Sequence, residues 1–78
     1  MTNLPVLKPR QLLSILQKAG WEMVRQKGSH IQLKHPSKPH HLVTIPCHNK
    51  DLARGTLFSI IRQMGFTKKE FEELLYGG

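Results

Sequence analysis

The chain has one cysteine, few acidic residues and no long apolar run, and each shortage excludes a class of protein. Because Cys47 is the only cysteine among 78 residues, a disulfide framework is excluded and a reducing compartment is indicated. No run approaches the roughly 20 apolar residues of a membrane helix, and residues 1–7 lack the apolar core of a signal peptide. We therefore expect a cytoplasmic protein with no membrane partner.

Acidic residues are scarce and unevenly placed. The sequence has 5 of them against 12 lysines and arginines, for a net charge of +7. Residues 1–62 contain only Glu22 and Asp51, so the basic charge belongs to the body of the chain, and paired carboxylates for acid–base catalysis are not available. A basic surface attracts polyanions, which makes nucleic acid the expected partner. The same charge would also suit an acidic protein partner, or serve solubility alone.

Motifs for metals and nucleotides are also missing. The chain has no glycine-rich phosphate loop. Histidines are numerous, but no cysteine pair accompanies them and their spacing matches neither a zinc finger nor a metalloprotease. The sequence therefore predicts neither a metal nor a small-molecule cofactor. It assigns no definite role to the histidines at His35, His40, His41 and His48.

Apolar periodicity and turn residues predict an α+β fold in a single domain spanning residues 1–78. The predicted order is helix, three short strands, helix and short helix, which favours a three-stranded antiparallel sheet with the helices on one face. Gly20 and Gly65 end the first two helices, and Thr67 with Glu70 forms a capping box for the third. The predicted bounds are 8–19 and 56–64 for the first two helices, 67–75 for the third, and 21–27, 30–35 and 41–45 for the strands.

The tripeptide Gly28-Ser29-His30 is the strongest candidate for chemistry, because it places an imidazole directly after a tight turn. Imidazole ordinarily titrates at a pKa of about 6.5, so it can give or take a proton at neutral pH. RNA cleavage by its own 2′-hydroxyl needs such a group. Phosphate binding is expected from Ser29 and from nearby basic residues on the flanking strands, namely Arg25, Lys27 and Lys34. The alternative is a polar residue on a solvated, charged hairpin.

A second candidate lies where the second long helix begins. Gly55-Thr56 would leave backbone N–H groups free to bind an anion, with Arg54 adding charge nearby. The alternative is that Thr56 is an ordinary helix cap. His48 is a possible supporting group, either for proton transfer or for a structural hydrogen bond.

Several motifs together carry a family resemblance over about residues 8–75. These motifs are Gly20-Trp21, Gly28-Ser29-His30, His35-Pro36, Val43-Thr44-Ile45-Pro46-Cys47-His48, Gly55-Thr56-Leu57, Ile60-Ile61-Arg62-Gln63, Gly65 and the helix 67–75. In them the chain resembles the HicA toxins of HicA–HicB toxin–antitoxin modules. Two features depart from that pattern: Phe58 stands where a basic or small residue is common, and residues 36–41 are rich in histidine.

The resemblance implies a fold like that of a double-stranded-RNA-binding domain. It also implies an mRNA endoribonuclease toxin of a type II module, with His30 as the catalytic histidine and a HicB-type antitoxin as partner. Neither a metal nor any other cofactor is expected, and single-stranded mRNA is a better candidate substrate than duplex. A duplex reader would place lysines at the start of its last long helix, where this chain has only Arg54.

Two other classes of function remain open from the sequence. The chain would also suit a non-catalytic RNA-binding module of the same fold. It would equally suit an interaction protein whose basic face binds an acidic partner. Salt dependence separates these, because binding dominated by phosphate contacts weakens steeply as salt rises.

Overall fold

The computed structural model describes residues 4–77, so residues 1–3 of the N-terminal segment, for which no signal peptide is expected, lie outside it. The predicted order of elements is confirmed. In chain order they are α1 (Pro9–Lys18), β1 (Glu22–Lys27), β2 (His30–His35), β3 (Lys38–Pro46), α2 (Arg54–Gln63) and α3 (Lys68–Tyr76). No helix formed by residues 4–77 is both long enough and apolar enough to cross a membrane.

The strands form the predicted three-stranded antiparallel sheet, with β2 in the centre and β1 and β3 at the edges. Gly28-Ser29 joins β1 to β2 as a two-residue turn. Gly28 has a φ of +59°, and no non-glycine residue among those described has a positive φ. A positive φ at the first central residue alone is the pattern of a type II′ hairpin turn, whose twist matches that of the flanking strands.

The third strand is longer than predicted. A loop over residues 36–39 and a strand over 41–45 were expected, but β3 begins at Lys38 and includes Pro46. The turn is only Pro36-Ser37, and His35 pairs with Lys38 across it. Pro39 is accommodated because β3 is an edge strand, where a residue without an N–H group costs no ladder hydrogen bond.

The core lies between the helices and one face of the sheet. β2 alternates, with Ile31 and Leu33 buried and His30 and Lys34 exposed on the other face. On α2 and its C-cap, Leu57, Ile60, Ile61 and Met64 are buried, and Trp21 is only 2% exposed. The buried residues form one cluster, which includes Leu12, Leu16, Trp21, Ile31, Leu33, Val43, Ile45, Leu57, Ile60, Ile61, Met64 and Phe71.

The helices begin in two different ways. Thr67 caps α3 as predicted, because its Oγ1 accepts from the Glu70 N–H at 3.1 Å and its own N–H donates to Glu70 Oε1 at 2.8 Å. The start of α2 differs from the prediction, since the helix begins at Arg54 with Ala53 as its N-cap. Thr56 is therefore the third residue of α2 and not its cap.

Candidate nucleic-acid interface

A β-bulge at Val24 determines which face of the sheet carries the basic residues of β1. Met23 pairs with Leu33, whereas Arg25 pairs with Gln32, so Val24 is an extra residue without a partner on β2. Without the bulge, strict alternation would place Arg25 on the same face as Met23 and the core. The bulge reverses the alternation and brings Arg25 to the exposed face of the sheet.

The residues after the bulge form an open cleft on that exposed face with the start of β2. Lys27 of β1 pairs with His30 of β2. In the neighbouring row across the sheet, Gln32 pairs with Arg25 on β1 and with Thr44 on β3. The cleft has a volume of about 550 Å³ and is lined by Arg25, Lys27, Gly28, Ser29, His30, Gln32 and Thr44. We call it the hairpin cleft. It places one imidazole beside two cationic side chains.

Two other histidines are engaged in holding the fold. His35 Nδ1 accepts from the Ser37 N–H at 3.0 Å, so the proton of the neutral ring is on Nε2, which donates to the Ala19 carbonyl at 3.1 Å. His41 Nδ1 donates to the Gln63 carbonyl at 3.1 Å. Each ring thus satisfies a carbonyl at the end of a helix.

His30 differs from His35 and His41 because both of its ring nitrogens are free. No hydrogen bond among residues 4–77 involves its ring, and its side chain is exposed. A ring with this freedom can bind a substrate through either nitrogen.

His48 lies in a different cleft from His30. The Lys50 N–H donates to His48 Nδ1 at 3.2 Å, which leaves the ring proton on Nε2. A second cleft, of about 490 Å³, is lined by Lys8, Arg10, Gln11, His48 and Asn49. We call it the helix cleft, because three of these residues belong to the start of α1.

Three further candidate residues lie apart from the hairpin cleft. Lys34 shares its face of the sheet, but it stands opposite Glu22 and does not line the cleft. Arg54 lines a small cavity with the segment that precedes α1. Thr56 is half-buried in the first turn of α2. The structure therefore brings together Arg25, Lys27, Ser29 and His30, and it separates them from Lys34, Arg54, Thr56 and His48.

One known family covers the chain from the start of α1 to just beyond α2. Residues 9–66, well over half of the chain, match the family model described as the HicA toxin of bacterial toxin–antitoxin systems. The chain belongs to the HicA toxin family. Membership implies a toxin whose partner is an antitoxin. A search of curated proteins found no match.

Gln32 and Thr44 line the cleft of this HicA-family chain, and the sequence pattern did not single them out as site residues. Alternation along β2 places Gln32 on the face of His30, and that pattern is visible in the sequence. Thr44 could not have been predicted as a site residue, because its position beside Gln32 depends on the register between β2 and β3. That register is not set by the two-residue turn at Pro36-Ser37 alone, because the pairing shifts between Leu33 and His35 before it reaches Gln32.

No metal-binding cluster occurs in the described part of this HicA-family chain. Over residues 4–77, no three His, Cys, Asp or Glu side chains come close enough to hold an ion. Cys47 is half-buried and packs against the core.

Proposed function

We propose that the chain is an mRNA endoribonuclease, the toxin of a type II toxin–antitoxin module, and that His30 transfers the proton in the cleavage step. One observation carries the proposal: His30 lines a basic cleft with both ring nitrogens unbonded, whereas His35 and His41 are occupied by helix carbonyls. Family membership supports the toxin assignment.

The proposed reaction is a transphosphorylation. The 2′-hydroxyl oxygen of one nucleotide bonds to the adjacent phosphorus, and the bond from phosphorus to the 5′-oxygen of the next nucleotide breaks. A base takes the 2′-hydroxyl proton and an acid gives a proton to the leaving 5′-oxygen. The products are a 2′,3′-cyclic phosphate and a 5′-hydroxyl. The His30 ring would serve as the base or as the acid, and a positioned group of this kind contributes about 10²–10⁴-fold.

The basic side chains of the hairpin cleft supply the electrostatic part of this mechanism. Negative charge accumulates on the phosphoryl oxygens as phosphorus becomes five-coordinate. Arg25 and Lys27 line the cleft with His30 and would stabilise that charge. Ser29 adds a hydroxyl at the turn for hydrogen bonds to the substrate. This division of roles needs no metal ion or other cofactor.

The shape of the site favours single-stranded mRNA. The hairpin cleft is an open depression on a sheet face, which admits an unpaired strand. The start of α2, where a reader of duplex RNA would carry lysines, has only Arg54. We further propose that a HicB-type antitoxin is the partner and that it blocks access to His30. Toxin, antitoxin and mRNA would meet in the cytoplasm.

The deciding experiment compares His30→Ala with His40→Ala. His40 is an exposed histidine on β3 that does not line the hairpin cleft, so its removal controls for loss of any surface imidazole. Purified proteins are incubated with single-stranded and duplex RNA in the presence of EDTA, and the cleaved ends are analysed. Growth arrest on induction is measured in parallel, with folding checked by circular dichroism.

We expect the His30 variant to lose about 10²–10⁴-fold in cleavage rate and to lose toxicity, while the His40 variant retains both. Undiminished cleavage by His30→Ala would overturn the assignment. RNA binding without cleavage by the unaltered chain would instead identify a non-catalytic RNA-binding module. Cleavage that EDTA abolishes would show that a metal takes part.

A further inference from the structure

The helix cleft has the chemistry of a phosphate site. Lys8 and Arg10 present cationic side chains from the start of α1, and His48 faces them from the loop after β3. Because His48 Nδ1 accepts from Lys50, the proton on Nε2 is available to donate to an oxygen ligand. Among the described residues, no acidic side chain lines this cleft. Its donors therefore suit an anion with several oxygens.

The helix cleft lies near the tip of the β1–β2 hairpin, on the side away from the hairpin cleft. The Cys47 N–H donates to the Ser29 carbonyl, so the loop that carries His48 begins directly beside the turn that precedes His30. A third depression, of about 280 Å³, shares Arg10 and His48 with the helix cleft and reaches Gln26 on the hairpin. The two basic clefts are thus neighbours on opposite sides of the hairpin.

The position of the helix cleft is held by the fold. The Lys8 N–H donates to Gln11 Oε1 at 2.8 Å, and Lys8 Nζ reaches the Asn49 carbonyl at 3.4 Å. The Leu52 N–H donates to the Leu7 carbonyl at 2.8 Å, which ties the segment before α1 to the loop after β3. These hydrogen bonds fix the two walls of the cleft relative to each other.

We infer that the helix cleft is a second phosphate subsite for the RNA strand whose cleavage is proposed at His30. The inference rests on the proposed function and extends it. One phosphodiester lies in the hairpin cleft, the strand passes the tip at Gly28-Ser29, and a later or earlier phosphodiester binds Lys8, Arg10 and His48. A strand bound at both clefts is held in register over the reacting bond, so the helix cleft contributes affinity and positioning and no proton transfer.

The test compares two double variants that remove the same charge. Lys8→Gln with Arg10→Gln empties the helix cleft of its cations. Lys18→Gln with Lys69→Gln is the matched control, because Lys18 lies at the opposite end of α1 and Lys69 lies on α3. Both are made in the His30→Ala background so that the RNA stays intact. Binding of a dinucleotide and of a single strand of about ten nucleotides is measured over a range of salt.

For the longer strand, we expect the variant of Lys8 and Arg10 to reduce the slope of log affinity against log salt. The reduction is about 0.7 for each phosphate that the variant no longer neutralises, and the control leaves the slope unchanged. Dinucleotide binding should be equal in both. Arg10→Gln alone breaks no hydrogen bond within the described residues and should give about half of the reduction in slope. It therefore controls for disturbance of the hydrogen bonds at Lys8.

The outcomes separate this inference from the proposed function. If the chain with His30 intact cuts RNA but the two double variants bind the longer strand alike, the second subsite is refuted and the proposed function stands. If the unaltered chain neither binds nor cuts RNA, both fail. Loss of antitoxin binding by the Lys8 and Arg10 variant, with its RNA slope unchanged, would show that the helix cleft is a protein interface.

Discussion

The ring of His41 lies directly against Gly65, two residues beyond the end of α2. A Cβ atom on Gly65 would come within 2.6 Å of His41 Cε1. Gly65 has a φ of +75°, so the chain reverses there in the left-handed region while His41 binds the Gln63 carbonyl. The same arrangement occurs at α1, where a Cβ on Gly20 would come within 2.8 Å of His35 Nε2. In both long helices, the C-terminal end packs against a histidine side chain from the sheet.

Gly65→Ala should destabilise the protein more than Gly28→Ala. Both glycines have a positive φ, so each substitution costs about 1 kcal/mol in backbone strain. A Cβ on Gly28 meets nothing within 4 Å, whereas one on Gly65 forces His41 away from its carbonyl. We expect a further loss of about 1–3 kcal/mol for Gly65→Ala, the range for overpacking. Urea unfolding of both variants measures the difference.

The His41→Ala background provides the control for this comparison. Without the ring, the loss in free energy of unfolding caused by Gly65→Ala should fall to the loss caused by Gly28→Ala. An unchanged penalty in that background would show that the contact between Gly65 and His41 does not matter for stability.

Local patterns were enough to predict most of the fold. Apolar spacing located α1, α2 and the inner face of β2, and Thr67 with Glu70 located the start of α3, because each pattern depends on residues within a few positions of one another. Local sequence was not enough for the start of β3. Pro39 is tolerated there only because β3 is an edge strand, and that fact belongs to the sheet as a whole.

The chemistry of the candidate site could be predicted from the sequence, but the set of residues that form it could not. His30 follows from the turn at Gly28, which is local. The presence of Arg25 beside it depends on the bulge at Val24, and the exclusion of Lys34 depends on its pairing with Glu22. Both are properties of strand register, and one residue of register reverses the face of every side chain that follows.

Gln63→Met should weaken the attachment of α2 to β3. Gln63 Oε1 accepts from the Thr44 N–H at 2.8 Å, which protects a backbone donor on an edge strand. Leaving that donor unpaired should cost about 1 kcal/mol. Gln63→Glu keeps an acceptor and should restore most of the loss, and Gln17→Met on the exposed surface of α1 is the control. Hydrogen exchange of the Thr44 amide should accelerate in Gln63→Met alone, and unchanged exchange would contradict the role of this bond.

Glu70 should make the stability of the protein depend on pH on the acid side. Hydrogen bonds from the backbone and side chain of Thr67 lower the pKa of Glu70, with a smaller contribution from Lys38. Its stabilising effect is therefore present above the ordinary carboxyl pKa and is lost as pH falls through the lowered value. Glu70→Gln should be less stable than the parent near neutral pH, and the difference should vanish in acid. Glu73→Gln is the control, and parallel curves for parent and Glu70→Gln would contradict the prediction.

Lys27→Gln and Lys34→Gln remove the same charge from the same face of the sheet, yet they should affect RNA differently. Lys27 lines the hairpin cleft beside His30, whereas Lys34 stands opposite Glu22 outside it. Lys27→Gln should therefore slow RNA cleavage and lower the salt slope of binding by about 0.7, the value for one neutralised phosphate on a single strand. Lys34→Gln should leave both close to the parent values. Equal effects would mean that general positive charge, and not the geometry of the hairpin cleft, attracts the RNA.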